Sequence, residues 1–221
     1  MQKENGYPDI TAYEVEDLDR QIDNPMLQEI REIVDRFSAG GAARASTFLL
    51  MERESLTREY AFAIPTAGTL RSVACFSPLV EVGAGSGYWA SCLTASGADV
   101  IAYDLFPPGT GVPGDISHSN WHFRKSWHDV RTGDESSAAL HPDRSLFLCW
   151  PPPESPMALR AVESYQRAGG KTVLLLGQMR PLSMGSAELY ELLKGFPVIE
   201  RRRVPGWPGY TEELLVCNCT P

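Results

Sequence analysis

A glycine-rich turn directly after a short apolar strand is the feature that most restricts how this chain folds. Residues 79–87 read LVEVGAGSG, and a helical stretch follows from Tyr88. Glycines allow a tight strand-to-helix turn and a close approach of backbone to ligand, while the first turn of the helix offers free N–H groups. The turn therefore predicts a binding site for a nucleotide-like cofactor.

The spacing of the glycines and a later carboxylate restrict which kind of cofactor the turn can bind. The dinucleotide fingerprint G-x-G-x-x-G requires glycine at position 88, which is Tyr88 here, so the turn reads E-x-G-x-G-x-G instead. Asp104 ends the second predicted strand 21 residues after Gly83, where a carboxylate can accept both hydroxyls of a ribose. Two features at matched spacing favour a ribose-containing cofactor over a turn that binds nothing.

Strands alternate with helices from residue 78 onward, which predicts an α/β fold with a mostly parallel sheet covered on both faces. We expect strands at 79–82, 100–103, within 121–130, and at 146–150, 172–176, 198–204 and 214–219. Helices are expected at 88–96, 158–168 and 187–194, and the proline- and glycine-rich stretch 105–120 is expected to be a loop. The last two strands leave no room for a helix between them, so they should form an antiparallel pair at the sheet edge.

Three regions are expected along the chain: an acidic arm at 1–23, a helical extension at 24–77 and the cofactor-binding domain at 78–221. The arm has few apolar residues and should fray or lie on the surface. In the extension, Asn24 can cap a helix that starts at Pro25, a second helical stretch spans 42–58, and Thr66 can cap a short third helix.

Charge and hydropathy restrict the partners and the compartment. The net charge is −8, and the first 35 residues, with ten acids and three bases, account for −7 of it. No clustered basic face is visible, and the run 201–203 reads as a solvated edge strand, so nucleic acid is not the expected partner. No stretch is apolar enough to span a membrane and no secretory leader is evident, so a cytoplasmic protein is expected.

The cysteines and histidines predict no metal site. Five cysteines without a CxxC spacing are expected to be reduced, buried thiols: Cys75, Cys92, Cys149, Cys217 and Cys219. The four histidines lack metal-ligand spacing, and among them His128 is the candidate expected to touch a ligand: His118, His122, His128 and His141.

Residues 60–219 resemble the class I S-adenosylmethionine-dependent methyltransferases, on the strength of EVGAGSG, Asp104 and the fourth-strand segment LFLCWPPP. The resemblance implies a Rossmann-like three-layer sandwich, a seven-stranded sheet with an antiparallel last strand, and S-adenosyl-L-methionine as cofactor. It places Glu81 under the amino-acid part of that cofactor, the glycine turn beside it, the ribose on Asp104, and the adenine on residues that follow the third strand. The implied cofactor-binding set is Glu81, Gly83, Ala84, Gly85, Gly87, Asp104, Trp127, His128 and Asp129.

The segment 150–153, WPPP, bears on the methyl acceptor. In amino methyltransferases this segment reads Asn or Asp, Pro-Pro and an aromatic residue, and the polar side chain and first proline carbonyl hold the target NH₂. Here Pro-Pro is kept, but Trp150 replaces the polar residue, and its indole N–H is a donor only. Strand ends and neighbouring loops supply the expected substrate pocket: Tyr60, Trp150, Pro151, Pro152, Gln178 and Trp207.

Methyl transfer to a small-molecule N or O acceptor is the leading hypothesis. The retained Pro-Pro keeps base-amine methylation of RNA, DNA or a nucleotide as one alternative. A non-catalytic S-adenosylmethionine-binding partner subunit is the other, because the fourth-strand segment departs from the pattern of the family.

Overall fold

The computed structural model describes residues 9–110, 120–180 and 183–220, and seven strands in these ranges form one sheet. Its order is β3-β2-β1-β4-β5-β7-β6, and only β7 runs antiparallel to its neighbours. The predicted fold class is therefore confirmed. The strands are β1 (Leu79–Val82), β2 (Val100–Asp104), β3 (Val130–Thr132), β4 (Ser145–Cys149), β5 (Thr172–Gly177), β6 (Val198–Arg203) and β7 (Glu213–Asn218).

Helices cover both faces of the sheet, so the central strands are buried almost throughout. The helices are α1 (Asp17–Gln21), α2 (Pro25–Ser38), α3 (Ala42–Glu59), α4 (Ala67–Ala74), α5 (Tyr88–Ala95), α6 (Met157–Arg167) and α7 (Ala187–Lys194). Alternate residues of each strand enter different cores. Leu79 packs with α2 to α5, whereas Val80 packs with α6 and α7.

The helical extension is joined to the rest of the fold by a hydrogen-bonded group around Asn24. Its Oδ1 accepts from the backbone N–H of Leu27 at 3.1 Å, which caps α2 as predicted, and from the hydroxyl of Tyr88 at 3.0 Å. Its Nδ2 donates to the carbonyl of Pro65 at 2.7 Å. Because Tyr88 is the first residue of α5, the extension is fixed directly to the helix that follows the glycine turn.

The described part of the acidic arm, residues 9–23, is packed on the domain, so the prediction that it frays is wrong for these residues. Ile10 is fully buried, and its N–H donates to the carbonyl of Gly206 at 3.0 Å. Asp19 is buried, and its Oδ1 accepts from the N–H of Ala67 at 2.7 Å. Asp19, rather than the side chain of Thr66, therefore caps α4.

Most other element bounds agree with the predictions to within about two residues, but the third strand begins only at Val130. Three short helices had no counterpart in the prediction: α1 and the 3-10 helices at Ile10–Ala12 and Glu135–Leu140. Cys75 is exposed, which corrects the expectation of a buried thiol there, and all five cysteines are free. No helix in the described ranges is both long and apolar enough to cross a membrane.

The edge strand β6 is mostly exposed, as predicted for the arginine run. Arg201 pairs with Glu213 on β7, its Nη2 lying 2.7 Å from the carboxylate Oε2. Arg202 donates instead to the hydroxyl of Ser72 on α4. At least two of the three arginines are thus engaged within the protein.

Candidate functional site

The glycine turn that joins β1 to α5 adopts the backbone conformation that only glycine takes readily. Gly83, Gly85 and Gly87 have φ angles of 76°, 57° and 73°. The N–H groups of Gly83 and Ala84 donate to the carbonyl of Tyr103 at 2.8 and 2.9 Å, which ties the turn to β2. The turn is therefore held at the carboxyl edge of the sheet, where open α/β sheets bind their ligands.

Glu81 lies beneath this turn and is only 1% exposed. Its Oε2 atom is buried and has no hydrogen-bond partner, which is costly for a carboxyl group. Burial, and next the negative charge of Asp104, raise the pKa of Glu81 to about 8. In the unliganded protein near neutral pH, Glu81 is therefore largely protonated, and a cation placed beside it would favour its ionised form.

Asp104 ends β2 on the neighbouring strand. Its Oδ2 accepts from the N–H of Gly85 at 2.8 Å and its Oδ1 from the N–H of Phe106 at 2.9 Å. Burial raises the pKa of Asp104, and these two N–H groups oppose the rise. Each carboxylate oxygen keeps further acceptor capacity, so the side chain can accept hydrogen bonds from a ligand as well.

A cavity of about 390 Å³ lies over these residues, and we call it the glycine-loop cavity. On one side of β1 its wall comes from the ends of β2 and β3, and on the other side from the end of β4, the start of α6 and the segment before α4. The lining residues are Ala61, Phe62, Glu81, Val82, Gly83, Ala84, Gly85, Trp89, Asp104, Leu105, Phe123, Gly133, Asp134, Glu135, Cys149, Trp150, Pro152, Ser155, Pro156, Met157 and Arg160.

The segment 60–63 forms a wall of this cavity because three side chains hold its carbonyl groups. The hydroxyl of Ser86 donates to the carbonyl of Tyr60, and the indole N–H of Trp89 donates to that of Ala63 at 3.1 Å. The indole N–H of Trp207 donates to the carbonyl of Phe62 at 2.7 Å. The ring of Phe62 then packs against Trp150, with 6.2 Å between ring centroids.

Trp150 directly follows β4 and has a positive φ of 49°, which is uncommon for a bulky residue and marks a constrained position. Its backbone N–H donates to the carbonyl of Leu176 at 2.9 Å, and its indole N–H contacts Oε2 of Glu212 at 3.4 Å. The indole thus forms a cavity wall. Pro152 lines the same cavity, whereas the carbonyl of Pro151 accepts from the N–H of Gly185 at 3.2 Å.

The placement of Trp127, His128 and Asp129 after the third strand is wrong, because β3 begins at Val130 and these residues precede it. None of the three lines the glycine-loop cavity. The indole N–H of Trp127 donates to the carbonyl of Glu59 at 2.7 Å, so Trp127 holds the residue that directly precedes the wall segment 60–63. The backbone and Cβ of His128 lie close to Gly87 instead.

The residues that follow β3 are Gly133, Asp134 and Glu135, and they do line the cavity. Their position just after the third strand would have identified them, if the strand had been placed correctly in the sequence. Phe123 and Met157 were also missed; they lie where a Cβ on Gly85 or Gly83 would come. His122, not His128, is the histidine beside the wall, stacked on Phe62 with 4.7 Å between ring centroids.

Three further predicted pocket residues lie around the wall rather than on the glycine-loop cavity. Tyr60 is buried and donates from its hydroxyl to Oε1 of Glu29 at 2.5 Å. Trp207 is fully buried, although its loop does lie at the carboxyl edge of the sheet, since Glu213 pairs with Gly177 at the end of β5. Gln178 lines a second cavity, described below.

In the parts of the chain that the structure describes, no three His, Cys, Asp or Glu side chains are grouped so that they could hold a metal ion. His118 lies outside the described residues.

Comparisons with known proteins found likeness only among solved structures, and at low sequence identity. No family model matches the sequence, and no curated protein matches it either. Among solved structures, it is similar to the magnesium protoporphyrin IX methyltransferase ChlM from Synechocystis PCC 6803 with bound SAM, at 12% identity over 68% of this chain and 78% of that chain, with a TM-score of 0.43.

Two other solved structures show a similar level of likeness. The methyltransferase CalO6 is 17% identical over 86% of this chain and 71% of its own, with a TM-score of 0.46. The glycopeptide N-methyltransferase MtfA, complexed with SAM, is 15% identical over 69% of this chain and 92% of its own, with a TM-score of 0.42. The sheet described above, with seven mostly parallel strands and an antiparallel β7, is the arrangement that the resemblance in the sequence implied.

Proposed function

We propose that this protein is an S-adenosylmethionine-dependent methyltransferase that acts on a small-molecule N or O acceptor. The observation that carries the proposal is a pair of carboxyl groups in one cavity beside the glycine turn: Glu81, which is buried, and Asp104, which is half-buried on the adjacent strand. One of them has a buried oxygen without a partner.

The residues of the glycine-loop cavity fit this cofactor. Its amino-acid part carries an ammonium group, which would supply the cation and donor that Oε2 of Glu81 lacks. Its ribose carries two hydroxyls, which Asp104 can accept at the end of β2. Leu105, Gly133 and Asp134 would then lie beside the adenine, beyond the ribose.

Asp134 is fixed in place for such a role. Its Oδ1 accepts from both the backbone N–H and the hydroxyl of Ser136, at 2.9 and 2.5 Å. The hydroxyl and N–H of Ser136 lower the pKa of Asp134, so this carboxylate is ionised at neutral pH. Its free oxygen can accept from an exocyclic amine.

The bound cofactor supplies a methyl group on a sulfonium, which is already electrophilic. The protein then has to orient the acceptor in line with that methyl and exclude water from it. Phe62, Cys149 and Trp150 form an apolar wall on the side of β1 away from Asp104. We propose that the acceptor approaches across this wall.

The end of β4 supports a small-molecule acceptor over a base amine. Trp150 stands where a side chain would have to accept from the target NH₂, and an indole N–H cannot accept. The carbonyl of Pro151 is already hydrogen-bonded to the N–H of Gly185. The acceptor side chain that holds an amine in base-amine enzymes is therefore absent here, and the carbonyl of Pro151 already has one donor.

A transfer assay tests the proposal. The full chain is incubated with S-adenosylmethionine labelled in its methyl group and with a heat-treated cell extract, and the small-molecule and macromolecular fractions are counted separately. We expect label in the small-molecule fraction with the wild type and none with Asp104→Ala. Label in nucleic acid would favour the base-amine alternative, and cofactor binding without any turnover would favour a non-catalytic partner subunit.

A further inference from the structure

A second cavity, of about 400 Å³, shares the wall residue Trp150 with the glycine-loop cavity. We call it the arginine cavity, because two arginines, Arg53 and Arg180, lie on it. Its other lining residues are Trp150, Gln178, Ser183, Gly209 and Tyr210. Trp150 therefore lines both cavities, and the two cavities are neighbours at this residue.

Arg53 extends from α3 onto a group of aromatic rings. Its guanidinium carbon lies 4.5 Å from the ring centroid of Tyr210, 5.5 Å from that of Trp207 and 5.8 Å from that of Trp150. Its Nε atom is buried and has no hydrogen-bond partner. Among the described residues, no carboxylate forms an ion pair with it.

The charge of Arg53 acts on the pKa of one buried acid, Glu212, but this acid does not neutralise the arginine. This carboxyl is fully buried, and its Oε2 accepts from the indole N–H of Trp150 at 3.4 Å. Burial raises the pKa of Glu212 to about 7, against the opposing effect of the Arg53 charge. Near neutral pH it is only partly ionised, so the cavity keeps a net positive charge.

Arg180 lies at the exposed rim of the same cavity. Its Nε donates to the hydroxyl of Ser183 at 2.8 Å, which leaves the two Nη groups available. Within the described ranges it has no ion pair. Two guanidinium groups thus lie on one cavity, one stacked on aromatic rings and one at the rim. The planar fork of a guanidinium matches the geometry of a carboxylate.

We propose that the arginine cavity binds the carboxylate of the methyl acceptor, and that the acceptor is a small aromatic acid. The inference rests on the proposed function and adds the class of substrate. The carboxylate would be held by Arg53 and Arg180, and the aromatic ring would pack on Trp150 towards the glycine-loop cavity. Trp150 and Tyr210, with 6.1 Å between centroids and 55° between planes, provide the ring surfaces.

A pair of isosteric probes tests the charge requirement. Binding of 4-fluorobenzoate and of its neutral counterpart 4-fluorobenzamide to the full chain is followed by ¹⁹F NMR titration. We expect the acid to bind at least about tenfold more tightly than the amide, the scale of a lost charge-assisted hydrogen bond. Equal affinity of the two probes, or no binding of the acid, would overturn the proposal.

Variants then test whether the arginines of this cavity supply the positive charge that the acid requires. Arg180→Gln should weaken binding of 4-fluorobenzoate by about tenfold and leave the amide unchanged. Arg53→Lys keeps the charge but loses the planar fork and the stacking, so it should also weaken the acid. Arg167→Gln, at an exposed position on α6, is the matched control and should bind as the wild type does. An Arg180→Gln variant that matches this control contradicts the proposal.

Calorimetry with S-adenosylhomocysteine separates this inference from the proposed function. Wild type and Arg180→Gln should bind that probe equally. If S-adenosylhomocysteine binds but 4-fluorobenzoate does not, the acceptor class is wrong and the methyltransferase proposal stands. If 4-fluorobenzoate binds but S-adenosylhomocysteine does not, the methyltransferase proposal fails, and with it the role of the cavity as an acceptor site.

Discussion

Replacement of Glu81 by glutamine should remove a pH dependence from the stability of the unliganded protein. The folded chain holds the proton of Glu81 up to a pKa of about 8, whereas the unfolded chain releases it near the ordinary value of 4.5. Between these values the folded state binds more protons, so stability falls as pH rises. Glutamine has nearly the same shape and no charge to desolvate.

The size of the effect follows from the two pKa values. Integrating proton linkage from pH 5 to pH 8 gives a loss of about 3 to 4 kcal/mol from Glu81. For a chain of this length, that loss lowers the melting temperature by roughly 6 to 16 °C. Glu212, with its pKa raised to about 7, adds about 2 to 3 kcal/mol in the same direction, and this part remains in Glu81→Gln.

Urea unfolding followed by circular dichroism at pH 5, 6, 7 and 8 measures the effect. The unfolding free energy of Glu81→Gln should fall less steeply with pH than that of the wild type, and the two should differ most at pH 8. Glu32→Gln, at an exposed site on α2, serves as the control and should follow the wild type. Parallel curves for Glu81→Gln and wild type would refute the reasoning about the buried carboxyl.

Two further substitutions test the extension and the turn. Asn24→Ala should lose about 2 kcal/mol of unfolding free energy, because it removes a helix cap and leaves the carbonyl of Pro65 without its donor. Urea unfolding measures this loss, and an unchanged value would show that the extension is not integral to the domain. Gly85→Ala should lose binding of S-adenosylhomocysteine in calorimetry, because a Cβ there collides with the ring of Phe123 and φ is 57°. Gly97→Ala is the control, since φ is 88° but no atom lies within 4 Å of a Cβ there, and equal loss in both variants would point to general strain.

The strands and the glycine turn were predictable because their signals are local. β1 and β5 are short apolar runs bounded by turn residues, and Gly83 directly follows the first of them. β3 was misplaced because its three residues, Val130 to Thr132, include no apolar run and are half-buried or exposed. That single error moved the expected adenine contacts from the residues after β3, where we propose Asp134, to residues that precede the strand.

Contacts between distant parts of the chain could not be predicted from sequence patterns. Asp19 caps a helix that begins 48 residues later, and nothing in the local sequence around either residue indicates this pairing. The contacts of Arg53 could not be predicted either, because helix periodicity does not show that its side chain reaches Trp150 and Tyr210 across the fold. Such interactions depend on tertiary packing, which decides which of many polar residues line a cavity.

The most direct test of the central claim is calorimetric titration of S-adenosylhomocysteine into the wild type and Asp104→Ala. The wild type should bind one equivalent, and the loss of the ribose-binding carboxylate should weaken affinity by about 1.5 to 3 kcal/mol, or roughly 10- to 150-fold. Asp143→Ala, at an exposed position before β4, should bind as the wild type does. Unchanged affinity in Asp104→Ala, or no binding by the wild type, would contradict the assignment of the glycine-loop cavity to this cofactor.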